Sequence, residues 1–148
     1  MRCPNCGYLD SKVIDSRPSE SGDTIRRRRE CLQCGERFTT YERREEIPLQ
    51  VIKSNGAREQ FDRDKLMRGL RRAAVKRNIS NEQLEDLIES IERELRNSFR
   101  YDITSRDLGN MVLKRLLDLD KVAYVRFASV YKDFRDLESF YDELRNLQ

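Results

Sequence analysis

The spacing of apolar residues changes character part-way along this 148-residue chain. Up to about residue 61 apolar positions are sparse and set among charges, as in short strands. From Asp62 onward they recur every three or four residues, as on helices. The first segment predicts strands at Lys12-Val13-Ile14-Asp15, Thr24–Glu30 and Arg37–Glu42, with turn residues at Ser19–Asp23. A hairpin follows. Its arms are Leu49–Lys53 and Arg58–Phe61, and Asn55-Gly56 in the turn Ser54–Ala57 is the signal for it. Asp62 caps a helix with Leu66, Leu70, Ala73 and Ala74 on one face. Ser80-x-x-Gln83 is a capping box before Leu84, Leu87, Ile88, Ile91 and Leu95. Thr104-x-x-Asp107 is a second, before Leu108, Met111, Val112 and Leu116. A last helix starts near Asp120 and runs toward the end. On it Phe127, Val130, Phe134, Leu137, Tyr141 and Leu144 recur in alternating steps of three and four, an a/d seam. The first three are expected in the domain's own core. The last three are expected at a subunit contact, which makes the chain a homo-oligomer.

Glu45-Glu46-Ile47-Pro48 reads as a linker, because Pro48 blocks helix. The expected fold class is therefore α+β: residues 1–46 as a small antiparallel ribbon, and residues 47–148 as a β-hairpin with about four helices. Hydrophobic content is 37% and charged content 39%, which predicts a soluble chain with modest cores. No apolar run approaches the roughly 18 residues of a membrane span, so no membrane partner is expected. The absence of His removes Ser-His-Asp, Cys-His and His-metal chemistry.

All four cysteines fall in two C-x2-C pairs, Cys3/Cys6 and Cys31/Cys34. Two residues between cysteines let both sulfurs reach one ion, and two such pairs supply the four soft ligands of a tetrahedral Zn²⁺. With no position left for water, the site is structural, with one ion per chain. Two disulfides or four unrelated thiols are the bland alternative. No secretory segment precedes Met1-Arg2-Cys3, which predicts a cytoplasmic protein with reduced thiols. A segment of 46 residues also buries too little to fold alone and usually needs a metal. Gly7 and Gly35 each follow a pair, where positive φ is often needed.

The first 46 residues hold 10 Lys/Arg and 9 Asp/Glu, so this part is not basic overall. Any argument for nucleic acid rests on placement. Arg26-Arg27-Arg28-Arg29 lies on a predicted strand, where Arg26 and Arg28 point one way and Arg27 and Arg29 the other. All four are candidate DNA contacts, and some can meet DNA while the others pair with Asp or Glu. Lys12, Arg17 and Arg37 join the positive face if the strands align. Guanidinium suits both phosphate and the guanine edge. A solvated charged face and a protein contact are the competing readings.

These segments carry a resemblance. C-P-N-C, V-I-D-S-R-P, I-R-R-R-R-E-C-L-Q-C and R-F-T-T-Y-E resemble the NrdR family, bacterial transcriptional repressors of ribonucleotide reductase genes. V-I-K-S-N-G-A-R-E-Q-F-D-R-D-K-L and K-V-A-Y-V-R-F-A-S-V-Y-K are similar to the ATP-cone of that family. The resemblance spans nearly the whole chain. It implies a zinc-ribbon DNA-binding domain over 1–46 and a nucleotide-sensing, oligomerising cone over 47–148. ATP or dATP is the implied effector, beside the hairpin. Val51 and Lys53 would lie on the first strand, with Lys53 facing phosphates or base, and Ser54 and Gly56 in the turn. Glu59 would bond polar atoms of the nucleotide, and Lys65 would meet phosphates at a helix N-terminus. Ser105, Arg126 and Tyr131 would complete the site.

The expected function is a nucleotide-dependent repressor that binds double-stranded promoter DNA, and the resemblance implies that the dATP form represses and the ATP form is released. It would be cytoplasmic, and nucleoid-associated when bound to DNA. The alternative is a zinc-ribbon adaptor or regulatory subunit that binds a protein. An enzyme is not expected, since beyond the metal cysteines there is no candidate catalytic thiol pair and no His.

Overall fold

A computed structural model describes residues 1–132 and 134–147. The chain divides into two compact units, Met1–Glu46 and Ile47–Gln148.

In the first unit β1 (Ser11–Pro18), β2 (Thr24–Cys31) and β3 (Arg37–Arg43) form an antiparallel sheet in the order β1-β2-β3. The β1–β2 turn closes through the Ser19 N–H on the Thr24 carbonyl at 2.8 Å, and Gly22 takes φ +76° there. The register slips between Val13 and Asp15, leaving Ile14 as a bulge. Among the described residues of this unit only Cys3 and Cys31 are buried. Val13 and Ile14 remain 42% and 41% exposed. The sheet therefore has no apolar core of its own.

The second unit opens with β4 (Gln50–Ile52) and β5 (Arg58–Gln60), the expected hairpin. The sheet also holds a third strand that the sequence reading did not include. This is β6 (Asp102–Thr104), parallel to β4, with Val51 opposite Ile103 and Ile52 opposite Thr104. Three residues with one buried apolar position carry no readable period, which is why β6 escaped notice.

The helices are α1 (Arg63–Ala73), α2 (Asn81–Asn97), α3 (Ser105–Leu119), α4 (Lys121–Tyr131) and α5 (Leu137–Arg145). Asp62 caps α1 by accepting from the Lys65 N–H at 3.0 Å. Both halves of the Ser80/Gln83 capping box are made. At α3 Thr104 accepts from the Asp107 N–H at 3.1 Å, and this is the only half of that box among the described hydrogen bonds. The predicted stripe Leu84, Leu87, Ile88, Ile91, Leu95 is wholly buried, against Leu70, Ile103, Val112 and Leu116. Met67 joins this core from α1, a position the stripe reading passed over.

The expected single last helix is two helices. Asp136 caps α5 by accepting from the Ser139 N–H at 2.8 Å and the Ser139 hydroxyl at 2.7 Å. Aspartate bonds more favourably at an N-cap than inside a helix, so the chain breaks before it. The a/d seam is broken with it. Phe127 is buried as expected, but Val130 is 89% exposed instead of lying in the core. Leu137 and Tyr141 are 74% and 58% exposed. Among the described residues no helix is long and apolar enough to cross a membrane.

Helix α2 ends in a left-handed turn. The Phe99 N–H reaches the Arg96 carbonyl and the Arg100 N–H reaches the Leu95 carbonyl, with Phe99 at φ +53°. Glycine usually fills this position.

Candidate functional site

The two cysteine knuckles repeat one geometry. The N–H groups of Gly7 and Gly35 donate to the carbonyls of Cys3 and Cys31 at 3.0 and 3.1 Å. Both glycines have positive φ, +75° and +72°. The four sulfurs lie within 4.8 Å of one another. Cys3 to Cys34 and Cys6 to Cys31 are each 3.6 Å. Four thiolates about 2.3 Å from one ion sit about 3.8 Å apart, so the set fits tetrahedral zinc. Their proton affinities diverge. The Glu36 N–H above all pulls Cys34 down to about 6. At Cys6 the Tyr8 N–H lowers the pKa, but desolvation and the other three thiols outweigh it and push it up to about 12. Adjacent thiols resist successive ionisation, and a cation that binds all four removes that resistance.

On β2 the arginines alternate faces. Arg27 donates to Glu42 at 2.8 and 3.1 Å and to the Ser16 hydroxyl at 3.2 Å. Arg29 donates to the Thr40 hydroxyl at 3.0 Å. Arg26 and Arg28 are exposed on the other face, and among the described residues neither pairs with a carboxylate. Cross-strand register brings Lys12, Arg17 and Arg37 to their side. Lys12 and Arg37 share Glu30, each at 2.9 Å, and Arg17 is 3.1 Å from Asp15. The face thus carries five cations against two carboxylates. Arg43 adds to it, its guanidinium 5.5 Å from the ring centroid of the exposed Tyr41. Its signal in the sequence is an Arg two residues after a strand Tyr.

In the second unit Lys53, Glu59 and Lys65 form one cluster. The ammonium groups of Lys53 and Lys65 lie 3.1 and 3.2 Å from the two oxygens of Glu59. They hold its carboxyl below the ordinary glutamate range, Lys53 more than Lys65. Hairpin pairing fixes Glu59 opposite Val51, and the Asp62 cap fixes Lys65 in the first turn of α1. Ser54 and Gly56 lie in the turn, Gly56 at φ +83°. Val51 is buried and supports the cluster from the core. Because Thr104 pairs with Ile52, Ser105 begins α3 beside the same end of the sheet.

Tyr131 approaches Ser105 from α4. Its ring stacks on Phe127, centroids 5.6 Å apart, and its hydroxyl interacts with the Gly109 backbone and the Ser105 side chain. A Cβ at position 109 would lie 1.7 Å from that ring. Gly109 is thus the floor of a slot that Tyr131 fills, and a glycine inside a helical stripe was its sequence signal. Arg126 is not brought to the cluster. It donates to the carbonyls of Ala73 and Val75 at the opposite end of α1. It lines a cavity of about 350 Å³ between α1 and α4, together with Gly69, Arg72, Phe127 and Tyr131.

Comparison with known proteins gives this arrangement a family. Residues 1–42 match the family described as "Transcriptional repressor NrdR-like, N-terminal domain", and residues 49–137 match the ATP cone domain. Full-length relatives are named "Transcriptional repressor NrdR". That of Acetivibrio thermocellus is 54% identical over 147 residues, 99% of this chain and 97% of the relative. That of Pelotomaculum thermopropionicum is 56% identical, over 99% and 89%. That of Petrotoga mobilis is 53% identical over 148 residues, 100% and 99%. These are names of regulators and not of enzymes. With both family matches in order along one chain and relatives similar over its full length, the chain belongs to the NrdR family of transcriptional repressors, a zinc ribbon followed by an ATP cone.

Proposed function

We propose that the chain represses ribonucleotide reductase genes in response to adenine nucleotides, ATP and dATP, from the bacterial cytoplasm. The observation that carries this reading is the Lys53–Glu59–Lys65 cluster at the N-terminus of α1. Glu59 is the anion between two ammonium groups. A triphosphate competes for those lysines and frees Glu59 to accept hydrogen bonds from base or ribose. The helix N-terminus adds its own favour for negative charge. In the ribbon, Cys3, Cys6, Cys31 and Cys34 hold zinc, which fixes the strands as a rigid head. Arg26, Arg28 and their neighbours Lys12, Arg17 and Arg37 then contact the promoter backbone and groove.

A single ribbon offers few phosphate contacts, so useful affinity requires several heads joined in a homo-oligomer. Nucleotide acts by stabilising one assembly over another, with dATP favouring the assembly whose heads match the operator. The test is DNA binding by zinc-loaded protein, on a promoter fragment upstream of a reductase gene, with dATP or ATP, beside native mass measurement. Tight binding with dATP, weak binding with ATP and different masses are expected. Equal binding in both nucleotides overturns the switch. Loss of no affinity on replacing Arg26 and Arg28 favours a protein partner for the ribbon instead.

A further inference from the structure

Two consecutive residues at the end of α4 engage different parts of the second unit. Tyr131 fills the slot over Gly109 and forms one wall of the cavity between α1 and α4. Lys132, the C-cap of α4, donates to Glu143 of α5 at 2.7 Å. The Tyr124 hydroxyl donates to the same Glu143 oxygen.

Helix α5 depends on this clasp. None of its residues is buried. Just past the helix, the Lys121 ammonium donates to the Leu147 carbonyl at 2.8 Å, the other polar tie to α4 among the described residues. All but the first residue of α5 lies past the matched ATP cone region, which ends at residue 137. An appended helix with no buried residue, held by this carboxylate, by the contact of Phe140 with Phe134 and by Leu147 against the core, can detach.

We infer that the end of α4 is a relay: a nucleotide held at the Lys53–Glu59–Lys65 cluster and reaching Ser105 moves Tyr131 off Gly109, draws Lys132 away from Glu143 and releases α5. The inference rests on the reading of this unit as a nucleotide-binding cone. The slot has no slack, because even a methyl group at Gly109 overlaps the ring. Tightly packed contacts of this kind switch between arrangements and do not yield gradually. Lys132 follows Tyr131 directly in the chain, so a shift of one backbone moves the other. Release uncovers the α4 surface that α5 occupies and frees α5, already carrying exposed Leu137 and Tyr141, to pack elsewhere.

Hydrogen–deuterium exchange of the α5 peptide, in the full zinc-loaded chain, tests this beside calorimetry with ATP and with dATP. Nucleotide is expected to speed α5 exchange roughly tenfold, within the usual range of allosteric coupling. Gly109→Ala puts a methyl where the Tyr131 ring sits and is expected to give the fast exchange without nucleotide. Lys132→Met is expected to do the same while nucleotide still binds. If calorimetry shows binding and α5 exchange stays slow, the relay is overturned and the cone reading stands. If neither nucleotide gives binding heat, both are overturned. Unchanged exchange in Gly109→Ala also overturns the relay.

Discussion

Glu59 is held by two lysines, and its depressed pKa sets a direction for acid stability. A carboxyl whose folded pKa is lowered contributes stability above its unfolded pKa and loses it as pH falls through the folded value. Asp120 is depressed in the same way, by Arg77 first and the Ala123 N–H second. The second unit should therefore lose stability on acidification below the ordinary carboxylate range. Denaturant melts of Glu59→Gln across that range should show a shallower decline than the parent. Phe99 gives a second residue-scale prediction. It is 82% exposed and left-handed, a conformation that costs an L-residue about 1–2 kcal/mol. Phe99→Gly should raise the unfolding free energy by about 1 kcal/mol, read from the denaturant midpoint. On β2, Arg26→Ala with Arg28→Ala should weaken DNA binding and reduce its salt slope by about 2. Arg27→Ala removes the Glu42 bond and should act on ribbon stability instead.

Helix α5 has no buried residue, so its Asp136 cap matters to its stability. Asp136→Ala removes two hydrogen bonds and should cost about 1 kcal/mol of local helix stability, seen as faster exchange over α5. Legibility in the sequence followed the length of each pattern. The α2 stripe spans five buried positions and could be read at once. The knuckles were legible because metal geometry dictates the C-x2-C spacing. β6 and the break before α5 were not, for opposite reasons. β6 has too few residues to show a period. The α4–α5 junction shows a spurious one, since apolar steps of three and four continue across Asp136 while its capping chemistry stops the helix. At the site, the chemistry of Lys53, Glu59 and Lys65 could be named from the resemblance, but their mutual bonding could not, because side-chain pairing depends on hairpin register. The placement of Arg126 at the far end of α1 needed the packing of α4 against α1.

At the scale of the whole molecule, the two units are stabilised by different physics. The second has a continuous apolar core running from Leu49 to Ala128. The first buries only two of its cysteines. A strong chelator should therefore unfold the ribbon and abolish DNA binding while leaving the helical far-UV signal of the second unit nearly intact. Loss of both together in one transition would contradict this division. The parallel pairing of β4 with β6 has a further consequence for how the chain is made. The ribbon is complete once Arg43 has been synthesised, and all its partners lie within those residues. β4 must wait for Asp102–Thr104 before its sheet closes. During translation there is thus an interval in which the ribbon strands can already pair while β4, joined to β5, still lacks β6 on its other edge.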